Sequence, residues 1–293
     1  MRQWVHRSLI EWAKTTASLE HRRDVSRLRR LTADEFSALQ LSRLRDIYRD
    51  AVQHVPYYAA RPTDYPRDLF DRPSSCLRSL ESLPILAKAT VREAPEEFWR
   101  RPYLLGSAVH TTGGTTGSPL RVRAGLRERG LTEAILRERD RDIVGSARAR
   151  VLRLSGMVAS AAPEETFARI PGTRYAYLSI YSLHEDNATR ILEAVRGFSP
   201  QIVHGYSSAL SELSRLLLSL GESLPSVRAA VSTSETLFDE QRASITRALK
   251  APVYNEYGSQ EGQHLLLECA EGGMHVHPAR GVVELHHTPQ GEK

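Results

Sequence analysis

The segment from residue 201 to residue 255 has the clearest secondary-structure pattern in the chain and reads QIVHGYSSALSELSRLLLSLGESLPSVRAAVSTSETLFDEQRASITRALKAPVYN. Three β-prone runs, at 201–204, 227–231 and 252–255, alternate with two helical patterns, at 207–220 and 239–249. This alternation with short connections predicts a parallel sheet with right-handed crossovers. Ligands of such sheets bind beyond the carboxyl ends of the strands, so we expect functional residues in the loops after the strands.

The sequence on either side extends the strand pattern. Upstream, the β-prone runs 107–112 and 120–123 flank a glycine-rich loop. Downstream, residues 264–285 predict antiparallel hairpins that turn at 271–273.

The first hundred residues are helical and then irregular. Thr32 and Glu35 have the spacing of a capping box, after which apolar residues recur at helical period until Pro56. We therefore predict two parts of the chain, a helical N-terminal section (1–106) and an α/β core (107–293).

Composition is that of a globular protein. Its hydrophobic content is 41% and its charged content 26%, which excludes disordered and fibrous classes. The net charge of +5 could suit an anionic substrate such as a nucleotide or CoA, but a solvated surface is the favoured explanation. Cys76 and Cys269 are far apart and no apolar run could span a bilayer, so we expect a cytoplasmic protein without a membrane partner. The basic cluster 21–30 lacks a recognition motif, so we expect no nucleic acid either.

A loop rich in glycine and threonine follows the first β-prone run and reads HTTGGTTGSP from His110 to Pro119. Its three glycines let the backbone present successive N–H groups to an anion, and its four threonines add hydroxyl donors. A polyphosphate would suit these donors. The loop is not a Walker A motif, because no Gly-Lys-Ser/Thr follows, and taken alone it could be a structural turn.

A second motif, NEYGSQEG, begins at Asn255 directly after a predicted strand. Tyr257 offers a flat ring on which a purine could stack, and Gly258 allows close approach of the backbone. Glu261 offers an oxygen ligand for Mg²⁺. An ordinary turn with a solvated glutamate is the alternative interpretation.

Together the two motifs resemble the phosphate loop and the Tyr-Gly-x-x-Glu motif of the adenylate-forming superfamily, which includes acyl- and aryl-CoA synthetases, luciferases and peptide synthetases. Within it the chain looks most like the branch of phenylacetate-CoA ligase and CapK, with the coenzyme F390 synthetase-like proteins. Four further stretches support this: HVPYY (54–58), LPILAK (83–88), VHGYSSAL (203–210) and STSET (232–236). The resemblance runs from about residue 39 to the last residue.

The resemblance implies the large N-terminal domain of an AMP-forming ligase. A carboxylic acid attacks the α-phosphate of Mg·ATP, which gives an acyl-adenylate and pyrophosphate, and a thiol, commonly that of CoA, then displaces AMP. Two alternatives stay open. One is transfer of the acyl group to an amine or another cofactor, and the other is a truncated remnant that binds nucleotide without catalysis.

The resemblance also implies roles for individual residues. The set that would hold the phosphates is Thr111, Thr112, Gly113, Gly114, Thr115, Thr116 and Gly117. The set that would surround the adenine is Ser234, Glu235, Thr236, Tyr257 and Gly258. The set that would wall the acyl pocket is His204, Gly205 and Tyr206. Glu261 would bind Mg²⁺, and Thr115 and Glu261 would be catalytic.

Two features depart from the family pattern. Leu120 and Arg121 stand where the wider superfamily often has a lysine, so Arg121 is not assigned to phosphate. The chain also ends at Lys293, before the family's ribose-binding aspartate and its small C-terminal domain with a catalytic lysine. We therefore expect that domain to be absent and slow turnover by this chain alone. A separate polypeptide could carry the domain.

The tail contains His264, Cys269, His275 and His277. Cysteine and histidine at these intervals could bind Zn²⁺ structurally, with Cys269 and His275 as the candidate ligands. No second cysteine pair is present, so an ordinary hairpin is the alternative.

Overall fold

The computed structural model describes residues 2–28, 30–72, 74–104, 106–111, 119–155, 166–259, 265–284, 287–288 and 291–292. The helices are α1 (Arg2–Leu28), α2 (Ala33–His54), α3 (Pro56–Ala59), α4 (Lys88–Glu93), α5 (Leu126–Val144), α6 (Ala188–Phe198), α7 (Ser207–Ser219) and α8 (Asp239–Leu249). Short 3-10 helices lie at Leu77–Ser82, Pro95–Phe98, Ile180–Ser182 and Glu185–Asn187. The strands are β1 (Ala108–Thr111), β2 (Arg121–Ala124), β3 (Val151–Ser155), β4 (Phe167–Arg169), β5 (Tyr175–Ser179), β6 (Ile202–Gly205), β7 (Ala229–Thr233), β8 (Val253–Gly258), β9 (Leu265–Glu268), β10 (Met274–Val276), β11 (His287–Thr288) and β12 (Gly291–Glu292).

Eight of the described strands form one sheet in the order β10-β9-β8-β7-β6-β3-β5-β4. The five strands β8, β7, β6, β3 and β5 run parallel to one another, whereas β9 and β4 are antiparallel to β8 and β5. The hairpin β1-β2 and the pair β11-β12 are separate antiparallel sheets. The α/β fold with a parallel core, predicted from the alternation in residues 201–255, is confirmed.

One face of the sheet packs against α6, α7 and α8. Helix α7 points four leucines at this face, and all four are fully buried: Leu210, Leu213, Leu216 and Leu217. They join Leu152, Val203 and Ala230 of three neighbouring strands in one aliphatic core. The leucines recur at the period of a helix and the aliphatic strand residues at every second position, so the apolar face of α7 packs against the apolar face of the sheet.

The opposite face has a smaller apolar core. It contains Val151, Ile202, Ala229 and Val231 of the strands, and Val144 at the end of α5 packs against them. These strand residues alternate with those of the first core, as the pleat requires.

The chain divides into two compact units. The first comprises Met1–Arg22, Gly130–Gly258 and Leu265–His275 and contains both sheet cores. The second comprises Arg23–Arg129, Ser259–His264 and Val276–Lys293. The second unit has a core of its own, in which the buried residues are Tyr48, Val52, Tyr65, Leu69 and Phe70. These two units are defined by the contacts within each of them. The predicted division into a helical N-terminal section (1–106) and an α/β core (107–293) was based on secondary structure instead, and it stays a prediction.

Helix α2 begins at the predicted capping box. The Thr32 backbone N–H donates to Glu35 Oε2 at 2.8 Å, and the Glu35 N–H donates to Thr32 Oγ1 at 3.3 Å. The helix ends at His54, and Pro56 starts the short helix α3, as proline at a first helical position favours. The predicted helix is thus confirmed. In the part of the chain that the structure describes, none of the helices is both long and apolar enough to cross a membrane.

Candidate functional site

The loops that follow β6, β7 and β8 lie side by side, because these three strands are parallel neighbours. Tyr206 follows β6, Ser234 follows β7, and Tyr257 lies at the end of β8. Three of the sequence-predicted segments therefore meet at one edge of the sheet. Their strands belong to the first compact unit, so the arrangement of this edge follows from the sheet itself.

His204 lies near the end of β6 with 16% of its side chain exposed. Its Nε2 atom is 3.4 Å from Oε1 of Glu256 on β8. Burial lowers the pKa of His204 below its ordinary value, and the nearby Glu256 carboxylate does not reverse that shift. The imidazole is therefore neutral at pH 7.

Gly205 allows β6 to approach β3 closely. A Cβ atom at this position would lie 2.8 Å from Cβ of Leu154, a distance that side-chain packing does not allow. The next residue, Tyr206, is 39% exposed, and its carbonyl oxygen accepts from the Leu210 N–H at 2.9 Å in the first turn of α7. A larger residue at 205 would displace the strand end that carries His204 and Tyr206.

Ser234 has a left-handed backbone, with φ of 67°. Residues other than glycine adopt this conformation at a cost of about 1–2 kcal/mol. Such strain persists only where the surrounding contacts enforce it.

Glu235 supplies those contacts. Its Oε2 atom accepts from the Ser208 N–H at 3.0 Å and from the Ser207 hydroxyl at 3.2 Å, and the Ser207 hydroxyl also reaches the Thr236 carbonyl oxygen at 2.9 Å. A carboxylate at the first turn of a helix satisfies free N–H groups there and complements the helix dipole. Glu235 thus fastens the 234–236 loop to the N-terminus of α7, a role that the motif alone did not reveal.

Tyr257 is 59% exposed at the end of β8. Its backbone pairs with Leu266 of β9, and Gly258 pairs with Leu265, so the antiparallel neighbour holds this strand end in place. The tyrosine ring is therefore presented to solvent from a rigid element. This is what stacking on a purine requires of it.

The other motif residues are only partly covered by the structure. Thr111 is the last residue of β1 and is exposed. Thr112, Gly113, Gly114, Thr115, Thr116, Gly117 and Glu261 lie outside the described residues. Their roles in binding phosphate and Mg²⁺ stay predictions.

Cys269 and His275 lie on either side of a tight turn. The Cys269 N–H donates to the Gly273 carbonyl oxygen, and the Gly272 N–H donates to the Cys269 carbonyl oxygen, each at 3.0 Å. A Cβ atom built at Gly273 would lie 3.4 Å from His275 Nε2 and 3.7 Å from Cys269 Sγ. Among the described residues no third metal-binding side chain joins them, and His264 lies outside that part of the chain. Zinc binding here stays a prediction.

Sequence reasoning missed a group of buried charges between α5 and the sheet. Asp140 is fully buried, and its two oxygens accept from Arg139, at 2.9 and 2.7 Å, and from Arg174. Arg139 also donates to Glu256, the residue directly before Tyr257. Burial opposes ionisation of Glu256, but the positive charges of Arg139 and Arg153 lower its pKa to about 2.

The same group continues along β3 and β5. Arg153 Nη1 donates to the Tyr177 hydroxyl at 3.1 Å, which donates to Glu11 Oε1 at 2.9 Å. Tyr175 donates to Glu133 Oε2 at 2.5 Å. Charged residues on a helix such as α5 ordinarily indicate a solvated face, so the sequence contained no signal for this burial.

Comparisons with known proteins agree with this fold. No model of a known protein family matches the chain. In sequence it is similar to protein CapK of Staphylococcus aureus, with 30% identity over 108 residues, which are 36% of this chain and 24% of CapK.

In structure the chain is similar to an open conformation of 2-hydroxyisobutyryl-CoA ligase in complex with 2-HIB-AMP and CoA. The TM-score is 0.62 at 17% identity, over 87% of this chain and 65% of that one. The same ligase in its thioesterification state gives a TM-score of 0.58 at 17% identity, over 83% of this chain and 54% of the other. The chain thus spans only part of the length of these relatives.

These findings define the fold. The chain has the fold of the adenylate-forming CoA ligases. Its sequence also resembles CapK, so the resemblance predicted from the two motifs is confirmed.

Proposed function

We propose that this chain is the nucleotide- and acyl-binding portion of an AMP-forming acid–thiol ligase. The carboxylate of an acid would attack the α-phosphate of ATP, releasing pyrophosphate, and the thiol of CoA would then displace AMP from the acyl-adenylate. The observation that supports this proposal most strongly is the meeting of Tyr206, Ser234 and Tyr257 at the ends of three adjacent parallel strands. Ligands of such sheets bind at this edge.

The exposed ring of Tyr257 suits an adenine, and the 234–236 loop, fastened by Glu235, would flank it. His204, Gly205 and Tyr206 would wall the acyl pocket. The loop 112–117 would hold the phosphates, and Glu261 would hold Mg²⁺, which would supply positive charge against the polyphosphate. The chemistry needs preorganised donors rather than a protein nucleophile.

Nucleotide binding is tested by isothermal titration of Mg·ATP into the Tyr257→Ala and Tyr257→Phe variants. Loss of stacking in Tyr257→Ala should weaken binding by about 1–3 kcal/mol, whereas Tyr257→Phe keeps the ring face and should bind nearly as the parent does. Equal losses in both variants would indicate a hydroxyl hydrogen bond instead of stacking. Unchanged binding in Thr115→Ala and Glu261→Ala would refute the phosphate and Mg²⁺ assignments.

The full reaction is tested by ATP–pyrophosphate exchange and by thioester formation over a panel of aryl and fatty acids. We expect slow thioester formation by residues 1–293 tested alone and faster formation when a relative's small C-terminal domain is added, because one electrostatic donor in such a domain would be worth about a hundredfold in rate. Acyl transfer to an amine but not to CoA would favour the alternative in which the enzyme transfers the acyl group to an amine. Nucleotide binding without exchange in both preparations would favour a non-catalytic protein. Because the reaction consumes ATP and CoA, we propose a cytoplasmic location.

A further inference from the structure

The α5-facing side of the parallel sheet changes character along its strands. Towards the amino ends it is apolar, with Val151 and Ile202 in the core. Two residues further along the same strands stand Arg153 and His204, which pair in register on adjacent strands. Glu256 completes this group on β8, and we call these three residues the polar pocket end.

Two side-chain nitrogen atoms of the polar pocket end have no hydrogen-bond partner among the described residues. Arg153 Nε is buried without an acceptor, although Nη1 of the same side chain reaches the Tyr177 hydroxyl. His204 Nε2 is also buried, and its 3.4 Å contact with Glu256 does not have hydrogen-bond geometry. Buried polar nitrogen atoms are rarely left unpaired in folded proteins, so each of these two atoms asks for a partner that the described residues do not provide.

The polar pocket end is also accessible in part. Arg153 and His204 are 19% and 16% exposed, respectively, and Tyr206, which follows His204, is 39% exposed. A ligand that lies against Tyr206 and the end of β6 can therefore contact the exposed part of these side chains, and a change of rotamer would turn their buried nitrogen atoms towards it.

The charges around the polar pocket end are already balanced. Arg153 lies 3.7 Å from Glu11, and Arg139 contacts Glu256. The His204 imidazole is neutral, because burial lowers its pKa. A second carboxylate would enter this region without a free counter-charge, and burial of an unpaired charge is costly. A neutral oxygen that accepts hydrogen bonds fits better.

We propose that the polar pocket end binds a hydroxyl group of the acid that is activated, so that the substrate is a hydroxylated carboxylic acid rather than an unsubstituted one or a dicarboxylate. The hydroxyl oxygen would accept from Arg153 or His204, and its proton would be donated to Glu256. This proposal rests on the proposed function, because it places the acyl group against His204, Gly205 and Tyr206.

The test measures binding of acyl-sulfamoyladenosines, stable mimics of an acyl-adenylate, to the chain by isothermal titration. Two matched pairs differ only by a hydroxyl group: phenylacetyl against (4-hydroxyphenyl)acetyl, and hexanoyl against 6-hydroxyhexanoyl. The adipoyl compound tests a second carboxylate, and sulfamoyladenosine without an acyl group reports on the nucleotide site. Because binding is the readout, slow turnover does not affect the test.

We expect the hydroxylated member of at least one pair to bind about 10- to 100-fold more tightly, the effect of one hydrogen bond to a charged group. The adipoyl compound should bind more weakly than the hexanoyl compound. In His204→Leu and Arg153→Met the preference for the hydroxyl should fall to about threefold or less. The control variant Arg228→Met, which changes an exposed arginine just before β7, should keep the preference for the hydroxyl.

The outcomes separate this proposal from the proposed function. If sulfamoyladenosine and Mg·ATP both fail to bind, the proposed function is wrong and this inference falls with it. If they bind but neither hydroxylated compound is preferred, or the adipoyl compound is tightest, only the hydroxyl assignment is wrong. The parent protein alone decides this, so a variant that does not fold leaves the result intact.

Discussion

The two faces of the parallel sheet are held to their helices by different kinds of contact. On one face α7 packs Leu210 and Leu213 against aliphatic strand residues. On the other, α5 packs Val144 into a small apolar core and also meets the strands through paired charges, among them Asp140 with Arg174 and Arg139 with Glu256. Aliphatic cores tolerate changes of shape at moderate cost, whereas a buried ion pair is costly to break by removing one partner. The charged face should therefore be the more sensitive to small chemical changes, and it also carries His204 and Glu256 of the candidate site.

The largest effect is expected from Asp140→Ala on the charged face. The substitution leaves the guanidinium groups of Arg139 and Arg174 buried without this carboxylate, which should cost about 3–5 kcal/mol in the free energy of unfolding. Urea denaturation measures the loss. Glu193→Ala, at an exposed position of helix α6, is the control and should change stability by about 0.5 kcal/mol or less. Similar losses in both variants would contradict the structural role of the buried charges.

On the aliphatic face, Leu213→Ala should cost about 3 kcal/mol, because Leu213 is fully buried and the truncation leaves a cavity. Leu218→Ala on the same helix, where the side chain is 42% exposed, should cost much less.

Conservative substitutions test the difference between the two faces more directly. Leu213→Met should lose less than about 1.5 kcal/mol, whereas Asp140→Asn, equally close in shape, should lose more because it removes the charge.

The charged face should also make stability sensitive to acid. The pKa of Glu256 is lowered to about 2 in the folded protein from an ordinary value of 4.5, so its contribution is complete above pH 4.5 and is lost as the pH falls towards 2. The difference corresponds to about 3 kcal/mol. Unfolding measured between pH 5 and pH 3 should show a smaller decline in Glu256→Gln.

Glu256→Gln should not abolish the decline in stability at acid pH, because Glu11 contributes to it as well. Lys14 and Arg153 lower its pKa to about 2 against the effect of burial, so part of the acid sensitivity should remain in Glu256→Gln. The exposed Glu193→Gln is the control and should follow the parent throughout. An unchanged pH dependence in Glu256→Gln would show that the neighbouring groups do not lower the pKa of this carboxylate.

The contrast between the faces also explains what the sequence could predict. The helices over 207–219 and 239–249 and the strands beside them follow regular apolar periods, so pattern and packing agree there. Helix α5 buries Glu133, Arg137 and Asp140, and a buried face made of charges has no apolar period to detect. Strands β3 and β5, which pair with each other, were missed with it.

The candidate site divides in the same way. The place of Tyr257 at the ligand-binding edge of the sheet could be predicted because its motif is local in sequence, although β8 extends to Gly258 and thus includes the residues that were expected to follow the strand. The contact of His204 with Glu256 joins residues 52 positions apart through two strand pairings, β6 with β7 and β7 with β8. Glu235 capping α7 likewise depends on a contact across the fold. No short motif encodes such pairs.

The smallest effect is expected at the edge between the two faces, where Ser234 has a φ of 67°. Ser234→Gly removes the clash of Cβ in the left-handed region but gains backbone entropy in the unfolded chain, so the net stabilisation should be about 0.5–1 kcal/mol. Ser211→Gly, inside α7, should have the opposite sign, because glycine weakens a helix by about 0.5–1 kcal/mol. If Ser234→Gly is destabilising, the serine hydroxyl makes a contact worth more than the strain. If the variant is more stable yet binds Mg·ATP more weakly, the strain serves to hold the loop in the shape that the nucleotide needs, which is where strained residues are commonly found.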